Sequence, residues 1–256
     1  MLKLVELMAK LRSPDGCPWD REQTHASLRP YLIEEAYEAL DAIDDADDEH
    51  LREELGDVLL QVVFHAQIAH EDGRFDFDEV EATIVEKLIR RHPHVFGNDE
   101  ATTSAQVLQN WEKIKQLEHG ENRQSVLDGL PRQMPALLYA YRIQEKVAKV
   151  NFDWKDVRDV LAKVREEIDE LEEAIDGTVK ERMEQEIGDL FFSVVNLSRH
   201  MGIPPEDALR KSNQRFSERF RYIEKALELK GERIEQASFE RLDELWEEAK
   251  RCFNRG

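Results

Sequence analysis

The sequence predicts an all-α protein built from two similar helical bundles in tandem, and three observations carry that expectation. Turn-makers are scarce: 11 glycines and 8 prolines in 256 residues are too few for the many loops of a sandwich or a propeller. Apolar residues recur at helical spacing rather than in alternation. One pattern of acidic residues occurs twice, the mark of a duplicated unit.

The repeat is explicit. Glu34-Glu35-x-x-Glu38 is followed by Glu54-Leu55-Gly56-Asp57, and Glu166-Glu167-x-x-Glu170 by Glu186-Ile187-Gly188-Asp189, with every matched position 132 residues apart. The apolar runs Val58 to Val63 and Leu190 to Val195 then continue in the same register. Further matches need small gaps. Lys87 and Arg91 correspond to Arg215 and Arg219 at a separation of 128, and Trp111, Glu112 and Lys115 to Trp246, Glu247 and Lys250 at 135. Trp19 and Trp154 are also 135 apart, near the start of each copy. Turn-forming residues from His119 through Pro131 separate the copies, so the expected organisation is a domain over 1–120, a linker over 121–135 and a second domain over 136–256.

Within the first copy, Met1 to Pro14 interleaves apolar residues with Lys3, Glu6, Lys10 and Arg12, and no signal-peptide core is expected. Leu28, Leu32, Ile33, Ala36, Leu40 and Ile43 predict an amphipathic helix with a buried stripe. Asp44 to Glu49 reads as a polar connection, and Leu51 as the start of a second helix. The later half of that helix, Val58 to Ile68, is apolar almost all round, which suits the centre of a bundle or a dimer interface. Gln61, His65 and Gln67 interrupt it, and it is too short to span a bilayer.

Charge narrows the partners. With 36 basic and 56 acidic residues the net charge is −20, a field that repels nucleic acid and anionic membranes, so neither is expected to bind. Any anionic substrate must be met by a local group of cations or by bound metal. Cys17 and Cys252 are the only cysteines, which fits neither a disulfide scaffold nor a zinc site and points to the cytoplasm.

Residues three or four apart share a helix face, so Glu35 with Glu38, and Glu54 with Asp57, point the same way. Two facing helices would then gather four carboxylates at the edge of a core, which is unfavourable unless a cation sits among them. An isolated acidic motif is ordinarily a solvated face. Here the same four carboxylates recur while the residues between them differ, and ligands that are all oxygen suit Mg²⁺, with Mn²⁺ as the alternative. A ferritin-like di-iron site would want Glu-x-x-His on two helices, and only Glu22-x-x-His25 has that spacing. A polyphosphate site would want cations, which Arg215, Arg219 and Lys250 supply around Trp246. His92 and His94 flank Pro93, which breaks helical ligand spacing, and they read as structural.

With these residues in hand, the chain resembles the MazG family of nucleoside triphosphate pyrophosphohydrolases in its two-domain form, within the all-α NTP pyrophosphatase superfamily. Beyond the acidic motifs, the resemblance rests on Cys17-Pro18-Trp19-Asp20, on Arg90-Arg91-His92-Pro93-His94-Val95-Phe96-Gly97 and on Leu127-Asp128-Gly129-Leu130-Pro131. It implies an α-helical homodimer that hydrolyses NTPs and dNTPs, with Mg²⁺, to the monophosphate and pyrophosphate. Carried over residue by residue, it implies metal ligands at Glu167, Glu170, Glu186 and Asp189. Nucleotide contacts fall at Lys163, Glu166, Arg182, Arg215, Arg219, Trp246 and Lys250, although at Arg215 the family more often has lysine. Glu166 and the four ligands form the expected catalytic set.

The copies are unequal. Lys163 and Arg182 stand one turn before Glu167 and Glu186, where the first copy has Tyr31 and His50. Ordinary turnover is therefore expected mainly in the second domain. Glu34, Glu35, Glu38, Glu54, Asp57, Lys87, Arg91, Trp111 and Lys115 form a second, weaker or structural candidate site. The rival reading is a non-catalytic helical interaction module whose acidic faces bind a basic partner.

Overall fold

The computed structural model describes residues 2–98, 100–119 and 125–253. Every regular element among them is a helix. The chain divides into two compact units, Met1–Glu121 and Asn122–Gly256.

The first unit contains α1 (Leu2–Leu11), α2 (Pro18–Glu22), α3 (Arg29–Asp44), α4 (Asp48–Glu71), α5 (Phe77–Arg91), α6 (Pro93–Phe96) and α7 (Ser104–His119). The long α4 is its axis and packs against α1, α3 and α5. Met8, Leu28, Val63, Phe64, Ala66, Ile68 and Phe77 meet there as one buried cluster. Each of the larger side chains contributes roughly 1.5–3 kcal/mol relative to leaving it in water. α5 begins at a capping box, in which Asp76 accepts from the Glu79 backbone N–H while the Glu79 carboxylate accepts from that of Asp76.

The second unit contains α8 (Ala136–Ala148), α9 (Val157–Gly177), α10 (Lys180–His200), α11 (Pro205–Glu228), a 3₁₀ turn at Ile234–Gln236 and α12 (Phe239–Phe253). α9 and α10 form a hairpin that matches α3 and α4, and α8 and α11 pack beside it. Ile223, Leu227 and Leu245 seal α11 to α12.

Two details depart from the sequence reading. The expected connection at Asp44 to Glu49 is shorter, because Asp47 caps α4 by accepting from the backbone N–H groups of Glu49 and His50 and so starts that helix three residues before Leu51. The expected stripe of α3 is buried only at its start, at Leu28. Ala39 and Ala42 are buried, whereas Leu32, Ile33, Leu40 and Ile43 are exposed. Small side chains let α3 approach α4 closely, and that contact turns the larger apolar residues outward.

Both hairpins turn on a residue with left-handed backbone that is not glycine: Ala46 with φ 53° in the first unit and Thr178 with φ 58° in the second. The same 132-residue separation relates them. A sharp left-handed turn fixes how far along each other the two helices lie, and hence which carboxylates meet.

Candidate metal centre and nucleotide cleft

In the second unit the α9–α10 hairpin brings Glu167, Glu186 and Asp189 together, with one oxygen of each inside a group no more than 4.8 Å across. Glu167 is buried. Lys163, one turn earlier on α9, donates to Glu166 at 2.8 Å and contacts Glu167 at 2.9 Å, and these two carboxylates hold its ammonium well above the usual lysine pKa. Arg182 reaches Glu186 at 3.6 Å and Glu173 at 3.5 Å. Glu170 lies outside the tight trio, yet its carboxyl is raised by burial and by the nearby charge of Glu167 and Glu186, a rise that Lys163 moderates. Glu166 is exposed at the margin.

The first unit repeats the arrangement on α3 and α4 with Glu35, Glu38 and Glu54, whose oxygens also fall within 4.8 Å of one another. Burial and the charge of Glu38 raise Glu54, while burial, Asp57 and Glu38 raise Glu35. Glu54 Oε1 pairs with His50 at 3.0 Å, and Glu54 Oε2 is buried without a hydrogen-bond partner. His50 thus occupies the place of Arg182 and makes the equivalent pair with the carboxylate one turn later. Glu34 is exposed, and Tyr31 packs edge-on against Trp19 at 6.0 Å.

These donor sets fit a hard divalent cation. Closely spaced carboxylates, with an unpartnered buried oxygen at Glu54 in the first unit, are costly as bare anions, and a cation with oxygen ligands removes that cost. The ion would be held by Glu167, Glu186 and Asp189, with Glu170 adjacent, and in the first unit by Glu35, Glu38 and Glu54, with Asp57 adjacent.

The aromatic-cationic residues form a second group in each unit. Arg219 lies over the Trp246 ring at 5.7 Å, Phe216 packs on the same ring at 5.0 Å, Arg215 is exposed, and Lys250 contacts Glu247 at 2.6 Å. In the first unit Arg91 lies over Trp111 at 5.5 Å, but it also grips Glu118 through two nitrogens. Arg91 and Arg90 together, against the effect of burial, bring the Glu118 carboxyl down to about 2. At the 135-residue separation of the repeat, Glu118 becomes Phe253. Lys87 is half-buried on α5. The Lys115 side chain lies outside the described residues. His92 donates from Nδ1 to Leu88 O at 2.7 Å and packs edge-on against Trp111 at 4.9 Å.

A cleft of about 600 Å³ opens against the second trio, and Lys163, Glu167 and Asp189 form part of its wall. Its remaining lining includes Gln144, Phe152, Trp154, Phe192 and Asn196. Arg215, Arg219, Trp246 and Lys250 are not among the lining residues. The segment that carries Phe152 and Trp154 is tied down through Asp153, which accepts from Arg199 at 2.5 Å and bonds His200 at 3.0 Å. Sequence reasoning missed most of this cleft, because it searched for what the two copies share. Of its lining, Glu167, Asp189, Trp154 and, in the matched apolar run, Phe192 and Ser193 carried that signal.

Fold and site together define a tandem all-α protein with a duplicated carboxylate centre. The chain matches the family model of the MazG nucleotide pyrophosphohydrolase domain twice, over residues 23–96 and 155–223. It is 52% identical to the nucleoside triphosphate pyrophosphohydrolase/pyrophosphatase MazG of Thermotoga maritima, over 97% of this chain and 94% of that one. It is 48% identical to the nucleoside triphosphate pyrophosphohydrolase of Escherichia coli strain K12, over 97% of this chain and 96% of that one. The uncharacterized protein YabN of Bacillus subtilis is 46% identical over 95% of this chain, which spans 50% of YabN. The chain belongs to the MazG nucleotide pyrophosphohydrolase family.

Proposed function

We infer that the protein is a nucleoside triphosphate pyrophosphohydrolase that cleaves NTPs and dNTPs to the monophosphate and pyrophosphate, with Mg²⁺ as its cation. The observation that carries this reading is shared walls: Glu167 and Asp189 belong both to the carboxylate trio and to the adjoining cleft. A molecule in the cleft therefore abuts the cation site, as a nucleotide with its phosphates at the metal end would. The near-full-length relatives in Thermotoga maritima and Escherichia coli, named for this activity, support it.

When bound, the cation supplies charge neutralisation for the phosphates and lowers the pKa of the water it holds. Glu167, Glu170, Glu186 and Asp189 hold it. Lys163 presents a fixed positive charge at the cleft wall for a phosphate oxygen, and Arg182 adds a second on the rim. The exposed carboxylate of Glu166 orients the attacking water and accepts its proton. The bond from water oxygen to the α-phosphorus forms, the bridging bond to the β-phosphate breaks, and pyrophosphate leaves. Arg215, Arg219, Trp246 and Lys250 supply further nucleotide contacts from α11 and α12, and Glu35, Glu38, Glu54 and Asp57 hold a cation with little turnover.

The assembly we propose is a homodimer. Ile187, Phe191 and Val194 lie on one face of α10 and are all exposed within a single chain, Phe191 by 60%. No described helix is long and apolar enough to cross a membrane, and Cys17 and Cys252 are both free thiols, which supports a place in the cytoplasm. Product analysis tests the chemistry. With Mg²⁺, ATP and dCTP should give AMP or dCMP and pyrophosphate, and release of orthophosphate with the diphosphate would overturn the reading.

A further inference from the structure

Two histidines that the carboxylate chemistry does not use meet in the first unit. His25, in the segment between α2 and α3, places its Nδ1 2.7 Å from Nδ1 of His65 on α4. The rings are parallel to within 7°, with centroids 5.0 Å apart. Nitrogens this close cannot belong to rings stacked face on face, so the imidazoles meet edge to edge with one proton between them. Nε2 of His25 lies 2.6 Å from Arg74 Nη2, and the same guanidinium nitrogen donates to Asp72 at 2.8 Å. At the 132-residue separation of the repeat His65 becomes Leu197, so the second unit has no such pair.

These contacts fix the protons. Arginine only donates, so Nε2 of His25 is a bare acceptor and the ring carries its proton on Nδ1. Nδ1 of His65 then accepts, and the His65 proton sits on Nε2. Hydrogen bonds thus run from Arg74 through His25 to His65 with both rings neutral. A further proton has two places to go. On Nε2 of His25 it meets an Arg74 N–H, and on Nδ1 of His65 it meets the His25 N–H, so either way one link breaks and a cation is added beside another donor.

Little surrounds the pair to offset that charge. From the turn after α4 come Arg74 and, beyond it, Asp72. From α1 comes Arg12, held by Glu71 at the end of α4 and by the carbonyls of Asp20 and Gln23. Arg29 at the start of α3 is exposed, and Asp76, Asp78 and Glu81 of α5, with Glu6 of α1 and His70 of α4, line a separate groove that includes neither histidine. Among the described residues neither ring bonds a carboxylate. Burial, and then the neighbouring His25, hold the His65 imidazolium below its ordinary pKa.

We propose that His25, His65 and Arg74 form an acid-sensitive clasp, which fastens the segment before α3 to α4 while both rings are neutral and releases it when the pair takes up a proton. The clasp sits at the edge of the core: Leu28, three residues after His25, and Phe64, next to His65, belong to one buried cluster. Thr24 and Ser27 close the segment on itself, each side-chain oxygen accepting from the other's backbone N–H, so it moves as a unit. Since the folded chain holds His65 below its ordinary pKa of about 6.5, the unfolded or opened chain takes up the proton first as pH falls. The stabilisation is therefore full above about pH 6.5 and is lost as pH falls from there toward the lowered value.

Hydrogen exchange of the full chain, read by mass spectrometry at pH 7.5 and 5.5 and corrected for the intrinsic pH dependence of exchange, tests this. Protection of the peptide covering residues 20–30 should fall about tenfold or more at the lower pH. In the double variant His25→Gln with His65→Gln, Arg74 donates to one glutamine and that glutamine to the next, with nothing left to titrate in the pair. Its protection should match between the two pH values to within about twofold. Equal protection at both pH values in the unaltered protein, or an unchanged fall in the double variant, would overturn the clasp. Nitrogen-15 spectra of histidine-labelled, unaltered protein decide the matter if the variant does not fold. At pH 7.5 His25 should carry its proton on Nδ1 and His65 on Nε2, with His65 titrating below about 6.5. A His25 ring protonated on Nε2 at pH 7.5 would overturn the assignment and the clasp with it.

Discussion

Glu54 and Glu186 occupy equivalent places in sequence and in structure, yet they should respond differently to removal. Glu186 stands in a trio that shares residues with an open cleft, while in the first unit the positions matching the cleft residues Ser193 and Asn196 are the buried Gln61 and Phe64. Glu186→Ala or Asp189→Ala changes both the charge and the coordination at the cleft and should lower pyrophosphate release by about two orders of magnitude or more. Glu54→Ala should lower it by less than about tenfold, with circular dichroism used to show that each variant is folded. Abolition by Glu54→Ala with Glu186→Ala still active would place the working site in the first unit. Arg91 is held to Glu118, and at the repeat separation that glutamate corresponds to Phe253 in the second unit. Arg182 against His50 carries less weight than its sequence contrast suggests, because both side chains pair with the carboxylate one turn later.

At the scale of elements, the two hairpins are the devices that assemble the trios. Each turns through a left-handed residue with a side chain, Ala46 or Thr178, and such a conformation costs a residue other than glycine about 1–2 kcal/mol. Ala46→Gly and Thr178→Gly should therefore each stabilise the protein by up to about 1 kcal/mol, part of the relief being offset by the greater freedom of glycine in the unfolded chain. Urea unfolding with an unchanged slope measures it, and a lower midpoint for both variants would show that the side chains at these turns do more than fill space. The helices themselves were largely legible in the sequence. Spacing of apolar residues placed α3 and the heart of α4, but Asp47 extended α4 at its start, because a side-chain cap is a local hydrogen bond that apolar spacing does not register.

At the scale of the whole molecule, α10 leaves Ile187, Phe191 and Val194 exposed on one face, and α11 leaves Phe216 and Phe220 exposed as well. Apolar area of this kind on several helices is expected to be covered by a second copy. Light scattering should give about twice the 30.0 kDa chain mass, and Phe191→Glu should shift the protein toward the monomer. A mass of one chain for the unaltered protein at micromolar concentration would remove the dimer.

The sequence by itself determined the helical class, the duplication and the carboxylates, because these are properties of spacing: a helix repeats its faces every three or four residues, and a repeat shows itself at a constant separation. It also determined the family, through motifs such as Arg90 to Gly97 that need no coordinates to be read. Only the tertiary structure decided that an open cleft lies beside the second centre. Whether a side chain fills a space or borders one depends on what faces it from distant segments. Thus Phe64 and Asn196, one position of a shared pattern, became core in one unit and cleft wall in the other. Gln144 lies far from either acidic motif and has no marked spacing. Its Oε1 is left unpaired because α8 packs on α10 and the amide nitrogen donates to the Phe192 carbonyl.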